Sequence, residues 1–382
     1  MTTSRQRWLL TTRHREPDRV PVDIGGGVSG ILEGAPYGYS AVCRHLDIDD
    51  PDLSSFDPSW GFVMQPDERL LQRLGSDVRH VCAGVPEMQA AGDGLHRDVY
   101  GILIDSTGAQ VGLAHGREPL RDCREVAELD AYPYWPDPDD PLWTEGKRDE
   151  ARRLRESTQC AVMADPGWFS SVWLTFYHLV GFDRWLLMMG REKRLYRALA
   201  DRILGLNIEI TRRYLREVGP YIDCVYGGES VGHQQGPFMS VRTYRELIKP
   251  WNAAWVEMVR QTVPHANVMI HSDGAVFDLI PEFIDSGFDV INPLQPGAAG
   301  MEPERVKQAY GDQVCLHGGF DTQGLLPRGT PSQIREEARR LMDILAPGGG
   351  YVFAAAHNIM PDVPPQNVEA LYEAVAEFGV YR

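Results

Sequence analysis

The chain has 382 residues, enough for one large domain or two ordinary ones, and 43% of them are hydrophobic, ample for a packed core. Its formal net charge of −16 argues against a general nucleic-acid binder, which reads phosphate with Lys and Arg, and disfavours a strongly anionic substrate. No secretion signal opens the chain and no uncharged apolar run approaches the ~20 residues of a membrane span, so a cytoplasmic protein without membrane contact is expected.

RVPVDIGGG (residues 19–27) reads as a short strand running into a glycine turn, since three glycines alone are weak evidence of a phosphate cradle. YSAVCRHLDI and DERLLQRLG have helical periodicity, and DVRHVCAG is a second strand. Residues 85–157 then break the alternation. LHRDVYGILIDSTGAQVGLAH suggests a hairpin about a Ser-Thr-Gly turn, and AYPYWPDPDDP is too rich in proline for an interior helix. This stretch is expected to cross one face of the domain, as a lid over substrate or as a surface flap. CAVMADPGW is the third strand. It opens the most apolar stretch of the chain, which Asp165, Pro166 and Gly167 interrupt, so buried core is expected there.

In EKRLYRALADRILGLNIEITRRYLREVG, Leu195, Leu199, Ile203, Leu206 and Ile210 step by three and four to give one buried helix face, with Gly219 placed as a C-terminal cap. YIDCVYGGES is the fourth strand, with Glu229 at its tip. Pro250 predicts a kink, or two shorter helices, in the segment that follows. NVMIHSDG, FDVINPLQP, QVCLHGGFD and GYVFAAAHN complete the strands. Between the last two, Thr330, Pro331 and Gln333 form a helix start with a capping box. The last helix buries Val368, Leu371, Val375 and Phe378.

Eight strands in alternation with helices, with no GxGxxG after the first, predict an α/β fold: a (β/α)8 TIM barrel. The barrel forms a single domain over 1–382, with 85–157 as a hairpin and loop insertion over its C-terminal face. A doubly wound open sheet is the alternative. The six cysteines form no CxxC pair and read as reduced thiols.

In a barrel the C-terminal strand tips converge, and here they carry Asp165, Glu229, His271, Asp273, Asn292, His317, Asp321 and His357, with Asp23 near the first tip. His271 and Asp273, at i and i+2, face one side of a continuing strand. With His357 as third ligand they would form a three-ligand zinc site with an open fourth position. The alternative is a metal-free pair of pocket histidines used in acid–base chemistry or held in place by hydrogen bonds. Glu229 and Asp321 would orient substrate or shuttle protons, or else fix histidine tautomers; a turn role is preferred for Asp321. Asp165, Trp168 and Asn292 would contact substrate. His317 reads as a satisfied core histidine. Trp60, Trp135, Trp168, Trp173, Tyr132 and Tyr134 would line a pocket for a flat substrate or simply pack.

AAHNIMPDVPPQNVEALYEAV is similar to the closing motif of the uroporphyrinogen decarboxylase superfamily, and HGGFDTQGLLPRGTPSQI to its penultimate strand segment. DVYG, EPL and PYWPDPDDP resemble segments of its methyltransferase-like branch. The resemblance spans nearly the whole chain and implies the same barrel. It implies either metal-dependent methyl transfer between a small methylated compound and a corrinoid protein or thiol, or a metal-free decarboxylation of a pyrrole or aromatic acid. A non-catalytic binding barrel is the third alternative. Two departures bear on the choice. The family's decarboxylase has an Arg-rich loop after its first strand, whereas GGGVSGI here has no arginine. The methyltransferases hold zinc with His-x-Cys and a distal Cys, at positions that match His271, Asp273 and His357. The expected partners are a small-molecule substrate and a corrinoid protein; a homodimer is left open.

Overall fold

Seven short runs rich in Val, Ile, Ala and Gly pair in parallel, in chain order, as one sheet: β1 Val78–Cys82, β2 Ala161–Asp165, β3 Cys224–Gly228, β4 Asn267–His271, β5 Val290–Leu294, β6 Cys315–Phe320 and β7 Tyr351–Ala355. The structure, a computed structural model, describes residues 2–27, 29–57, 61–84, 88–105 and 112–381, with the side chain of Trp168 outside that description. Both sheet edges meet one opening segment, residues 20–24. Asp23 N donates to Phe353 O at 2.9 Å and Phe353 N to Pro21 O at 2.9 Å, while Asp77 N donates to Val22 O at 2.7 Å. The curled sheet therefore closes through this segment.

The predicted first strand is thus present in place but is not a regular strand. Pro21 has no N–H to give, and the Val22 N–H goes to the Asp77 side chain at 2.9 Å rather than to a neighbouring strand. The expected hairpin is also more elaborate. Gln89–Gly92, Leu95–Arg97, Leu103–Asp105 and Gly112–Leu113 form a four-stranded antiparallel sheet, and the Ser-Thr-Gly turn lies outside the described residues. Tyr100 fastens this region to the barrel, its hydroxyl donating to Asn207 at 3.0 Å.

Helices cover the outside. α1 Ser4–Thr11 precedes the barrel, and α2 Lys147–Ser157 leads into β2. α3 Val172–Val180, α4 Phe182–Arg191 and α5 Lys193–Val218 lie between β2 and β3. α5 buries Leu195, Leu199, Ile203 and Ile210 as its spacing requires, with Leu206 partly buried. Gly219 is the C-cap of α5, as expected, but not in the left-handed conformation: its φ is −48°, and a Cβ there would lie 2.5 Å from Val263 Cγ1, so close approach is what excludes a side chain. Pro250 splits its segment into α6 Val241–Leu247 and α7 Lys249–Thr262, where it sits in the first turn and costs no hydrogen bond. α8 Ile280–Asp285, α9 Pro303–Tyr310, α10 Pro331–Leu345 and α11 Pro365–Phe378 complete the ring. The Thr330–Gln333 capping box is formed at the start of α10. Among the described residues no helix is long and apolar enough to cross a membrane.

Candidate active site

Side chains alternate between the two faces of a strand, so every second residue enters the barrel. Val78, Ala161, Met163, Cys224, Met269, Val290, Cys315 and Val352 pack together inside as an apolar floor, and Trp8 of α1 closes it from below. Two residues beyond the floor, the inward positions turn polar: His80, Asp165, Tyr226, His271, Asn292 and His317. Asp23 of the opening segment joins them. All of these are buried except Tyr226, which is half-buried.

Five members of this layer form one hydrogen-bonded chain. His271 and Asn292 are register partners on β4 and β5, and His271 Nδ1 lies 2.6 Å from Asn292 Oδ1. Asn292 Nδ2 lies 2.7 Å from His317 Nδ1. His317 Nε2 lies 3.0 Å from Asp23 Oδ2, and His80 Nε2 lies 2.8 Å from Asp23 Oδ1. Burial opposes the charge on Asp23, but His80 and His317 outweigh it and hold the carboxyl well below the usual carboxylate range. Burial likewise disfavours charge on His80, and Asp23 reverses this and raises its pKa. The glycine turn roofs this end, because a Cβ on Gly26 would meet His80 Nδ1 at 2.5 Å. That contact and a left-handed φ of +60° both call for a glycine there.

His357 stands just beyond β7, its ring centroid 5.6 Å from that of His271. Burial and the neighbouring His271 push its pKa down to about 4, against a smaller pull from Asp273, so it is neutral at pH 7. Asn358 ties this tip to the glycine turn, accepting from Gly30 N at 2.8 Å and donating to Gly27 O at 2.7 Å. Asp165 accepts from Gly167 N at 2.8 Å, and burial raises its pKa against the pull of that bond and of His80 and His271.

The other expected site residues sit elsewhere. Glu229 is buried beneath the first turn of α3, accepting from Val172 N, Trp173 N and Ser171 Oγ at 3.2–3.3 Å. Asp321 accepts from the backbone N–H groups of Gln323, Gly324 and Leu325, which makes it the cap of its own turn. Asp273 is half-buried at the mouth. Tyr177 lies near it, and burial together with the Asp273 charge pushes the phenol up to about 12. Trp173 stacks on Phe238 at 5.7 Å, and Phe182 meets Phe238 edge-on at 5.0 Å. Tyr132, Tyr134 and Trp135 pack on one another, while Trp60 and the Trp168 side chain lie outside the described residues.

Glu229 has a pH signature of its own. Burial drives its pKa up to about 8, although its three donors favour the ionised form. The folded chain then keeps a proton that the unfolded chain releases above about pH 4.3. Stability on this account falls as pH rises from there towards 8. Glu229→Gln is neutral in both states, so it is expected to gain stability over the parent between pH 5 and pH 8 in denaturant unfolding. An unchanged pH slope would show that Glu229 is ionised in the folded state.

The expected zinc ligands meet only in part. His271 and His357 adjoin, but among the described residues no three His, Cys, Asp or Glu side chains come close enough to share an ion. As placed, His271, Asp273 and His357 do not fit a zinc ion, and no step below is routed through one. The layer's own chemistry is two adjacent imidazoles beside carboxyl groups. The strand-tip loops at residues 25–37, 166–181, 229–240, 272–279, 295–302 and 356–364 contain no Lys or Arg. After β6 there is one, Arg328, which donates to Gln323 O. After β1, residues 83–146 carry Arg97, Arg117, Arg121 and Arg124; Arg97 lies over the Tyr134 ring, Arg121 pairs with Asp183 and Arg124 donates to the Arg121 and Cys123 carbonyls.

Comparison with known proteins adds the lineage. The family model described as Uroporphyrinogen decarboxylase (URO-D) matches residues 125–378. Uroporphyrinogen decarboxylase of Chlorobium phaeobacteroides is 26% identical over 196 residues, 50% of this chain and 52% of that one. The enzyme of the same name from Chlorobium luteolum is 30% identical over 142 residues, 36% of this chain and 38% of that one. The chain spans about half the length, or less, of the curated relatives it matches. Among solved structures, a methyltransferase from Methanosarcina mazei has a TM-score of 0.65 at 17% identity, covering 99% of both chains, which shows a shared fold.

Proposed function

We propose, from the premise that the chain belongs to the uroporphyrinogen decarboxylase (URO-D) family, that it is a methyltransferase acting on a small neutral or cationic methylated compound. The observation that carries this is the charge of the strand-tip face. It combines imidazoles and carboxyl groups with loops that, outside the segment after β1, carry Arg328 as their one Lys or Arg. A decarboxylase holds a carboxylate by definition, and an octa-anionic tetrapyrrole demands a cationic clamp. A methyl ether or a methylated ammonium group demands neither. Carboxyl groups such as Asp165 and Asp273, with Tyr177 and Tyr226 near them, suit a cationic or apolar methyl group.

The reaction moves a methyl group from the substrate heteroatom to the acceptor, a thiol or a corrinoid carried by a partner protein. The carbon–heteroatom bond breaks as the bond to the acceptor forms; an ether oxygen leaves with a proton, whereas a quaternary ammonium leaves as the neutral amine. For a thiol acceptor that proton is the one the thiol gives up, and for a reduced corrinoid acceptor it comes from solvent. His271 and the adjacent His357 are assigned to receive and return it. The test is turnover on matched substrates. Methyl loss from aryl methyl ethers or methylated amines is expected, with no CO2 from pyrrole or aryl carboxylates. CO2 release would favour the lyase alternative instead.

A further inference from the structure

We infer that Asp23 is a positioning residue that sets the tautomer of His271 through His317 and Asn292, three hydrogen bonds away. This rests on the reading of His271 as a reacting imidazole. Each bond dictates the next. Asp23 is a carboxylate and only accepts, so the His317 nitrogen 3.0 Å from it, Nε2, carries hydrogen. In a neutral imidazole the other nitrogen, Nδ1, then accepts, and it meets Asn292 Nδ2 at 2.7 Å. With its amide nitrogen committed to His317, Asn292 presents Oδ1 to His271, whose Nδ1 at 2.6 Å must donate. A neutral His271 is thereby left with its lone pair on Nε2. The ring is fixed in one protonation pattern, not free to exchange two.

The second imidazole on Asp23 completes the arrangement. His80 takes the other carboxylate oxygen at 2.8 Å, and the two imidazoles together keep Asp23 ionised in a buried layer. Asp23, His80 and the glycine turn all precede residue 125, outside the region matched by the family model, whereas His271, Asn292 and His317 lie inside it. The amino-terminal part of the chain thus supplies the end of the relay that sets its direction. Asn292 and His317 are wholly buried, so water does not replace a missing member from the mouth. Glu229, by contrast, is held at the start of α3 and bonds to none of the five.

The experiment is long-range proton–nitrogen NMR on protein labelled with 15N-histidine, which reads each imidazole nitrogen as protonated or bare without substrate, metal or turnover. The full-length parent is expected to show His271 as the Nδ1–H tautomer, assigned by its loss in His271→Gln. Asp23→Ala is expected to lose that preference and give both tautomers. Asp23→Ala with Asn292→Asp is expected to restore it, because a carboxylate at 292 accepts from His271 Nδ1 without help from Asp23. A parent His271 protonated on Nε2 overturns the inference even if no variant folds, as does Asp23→Ala with an unchanged tautomer. Failure of the methyl-transfer reading leaves these spectra unaffected, so the two are judged separately.

Discussion

Alanine at His271 or at His357 is expected to lower kcat/KM for methyl transfer by about 10²–10⁴-fold, the usual contribution of a positioned acid–base group. The two imidazoles adjoin at 5.6 Å, and neither is spent on holding a helix or capping a turn. The variants differ in their side effects. His271→Ala leaves Asn292 Oδ1 without its donor in a wholly buried position, at a cost of roughly 1–3 kcal/mol. His357 is half-buried and lies outside the relay, so its removal strands no member of it. Steady-state kinetics should therefore show His357→Ala failing catalytically with near-parent thermal stability. Loss confined to KM, or a fall of less than about tenfold in both variants, would place the chemistry elsewhere.

The largest effect on stability is expected from Trp8→Ala, at about 3–5 kcal/mol, the range for deleting a large buried aromatic. Trp8 is wholly buried and packs with the ring of floor residues Val78, Ala161, Met163, Cys224, Met269, Val290, Cys315 and Val352. Its indole N–H donates to Asn267 at the start of β4, at 3.2 Å. α1 is anchored beside it, with Arg5 N donating to Gln159 O at 2.7 Å and the Arg5 side chain bonded to Asp223 at 2.8 Å. Removing the indole opens a void below the apolar floor and leaves Asn267 Oδ1 without its donor. Denaturant unfolding of parent and variant measures the cost. A loss below about 1 kcal/mol would mean that the floor closes without α1.

The alternation of strands and helices was legible in the sequence because each barrel strand is a short apolar run ending in turn residues. Pro250, Thr330 and Gln333 also acted through local backbone rules that hold wherever a helix begins. The opening segment was harder to read. Its residues favour a strand, but Pro21 and the side chain of Asp77 use up the groups a ladder needs. Gly219 stands at the expected C-cap, but for a different reason, since a glycine required by a close approach and one required by a left-handed turn look alike in sequence. Gln89–Gly92 and Leu95–Arg97 escaped notice because they are short and mostly exposed, with little apolar pattern to show.

For the site, the strand tips lead to the polar end of the barrel, but not every tip residue joins the polar layer. Glu229 and Asp321 follow their strands, yet one is held by α3 and the other by its own turn. His80 and Tyr226 were passed over because they sit inside apolar strands rather than at polar tips. The signal that finds them is the count of two from the floor: Val78 to His80, Cys224 to Tyr226, Met269 to His271, Cys315 to His317. Pairing across the barrel, such as Asp23 with both His80 and His317, joins residues 57 and 294 positions apart and has no local trace.

The most direct measurement follows the methyl carbon. Full-length protein is incubated with a methyl-labelled aryl ether or methylated amine, together with thiol and reduced corrinoid acceptors, and the label is located by mass spectrometry. The account predicts label on an acceptor, demethylated donor in equal amount, and loss of both in His357→Ala. Label that stays on the donor while pyrrole or aryl carboxylates release CO2 would contradict it.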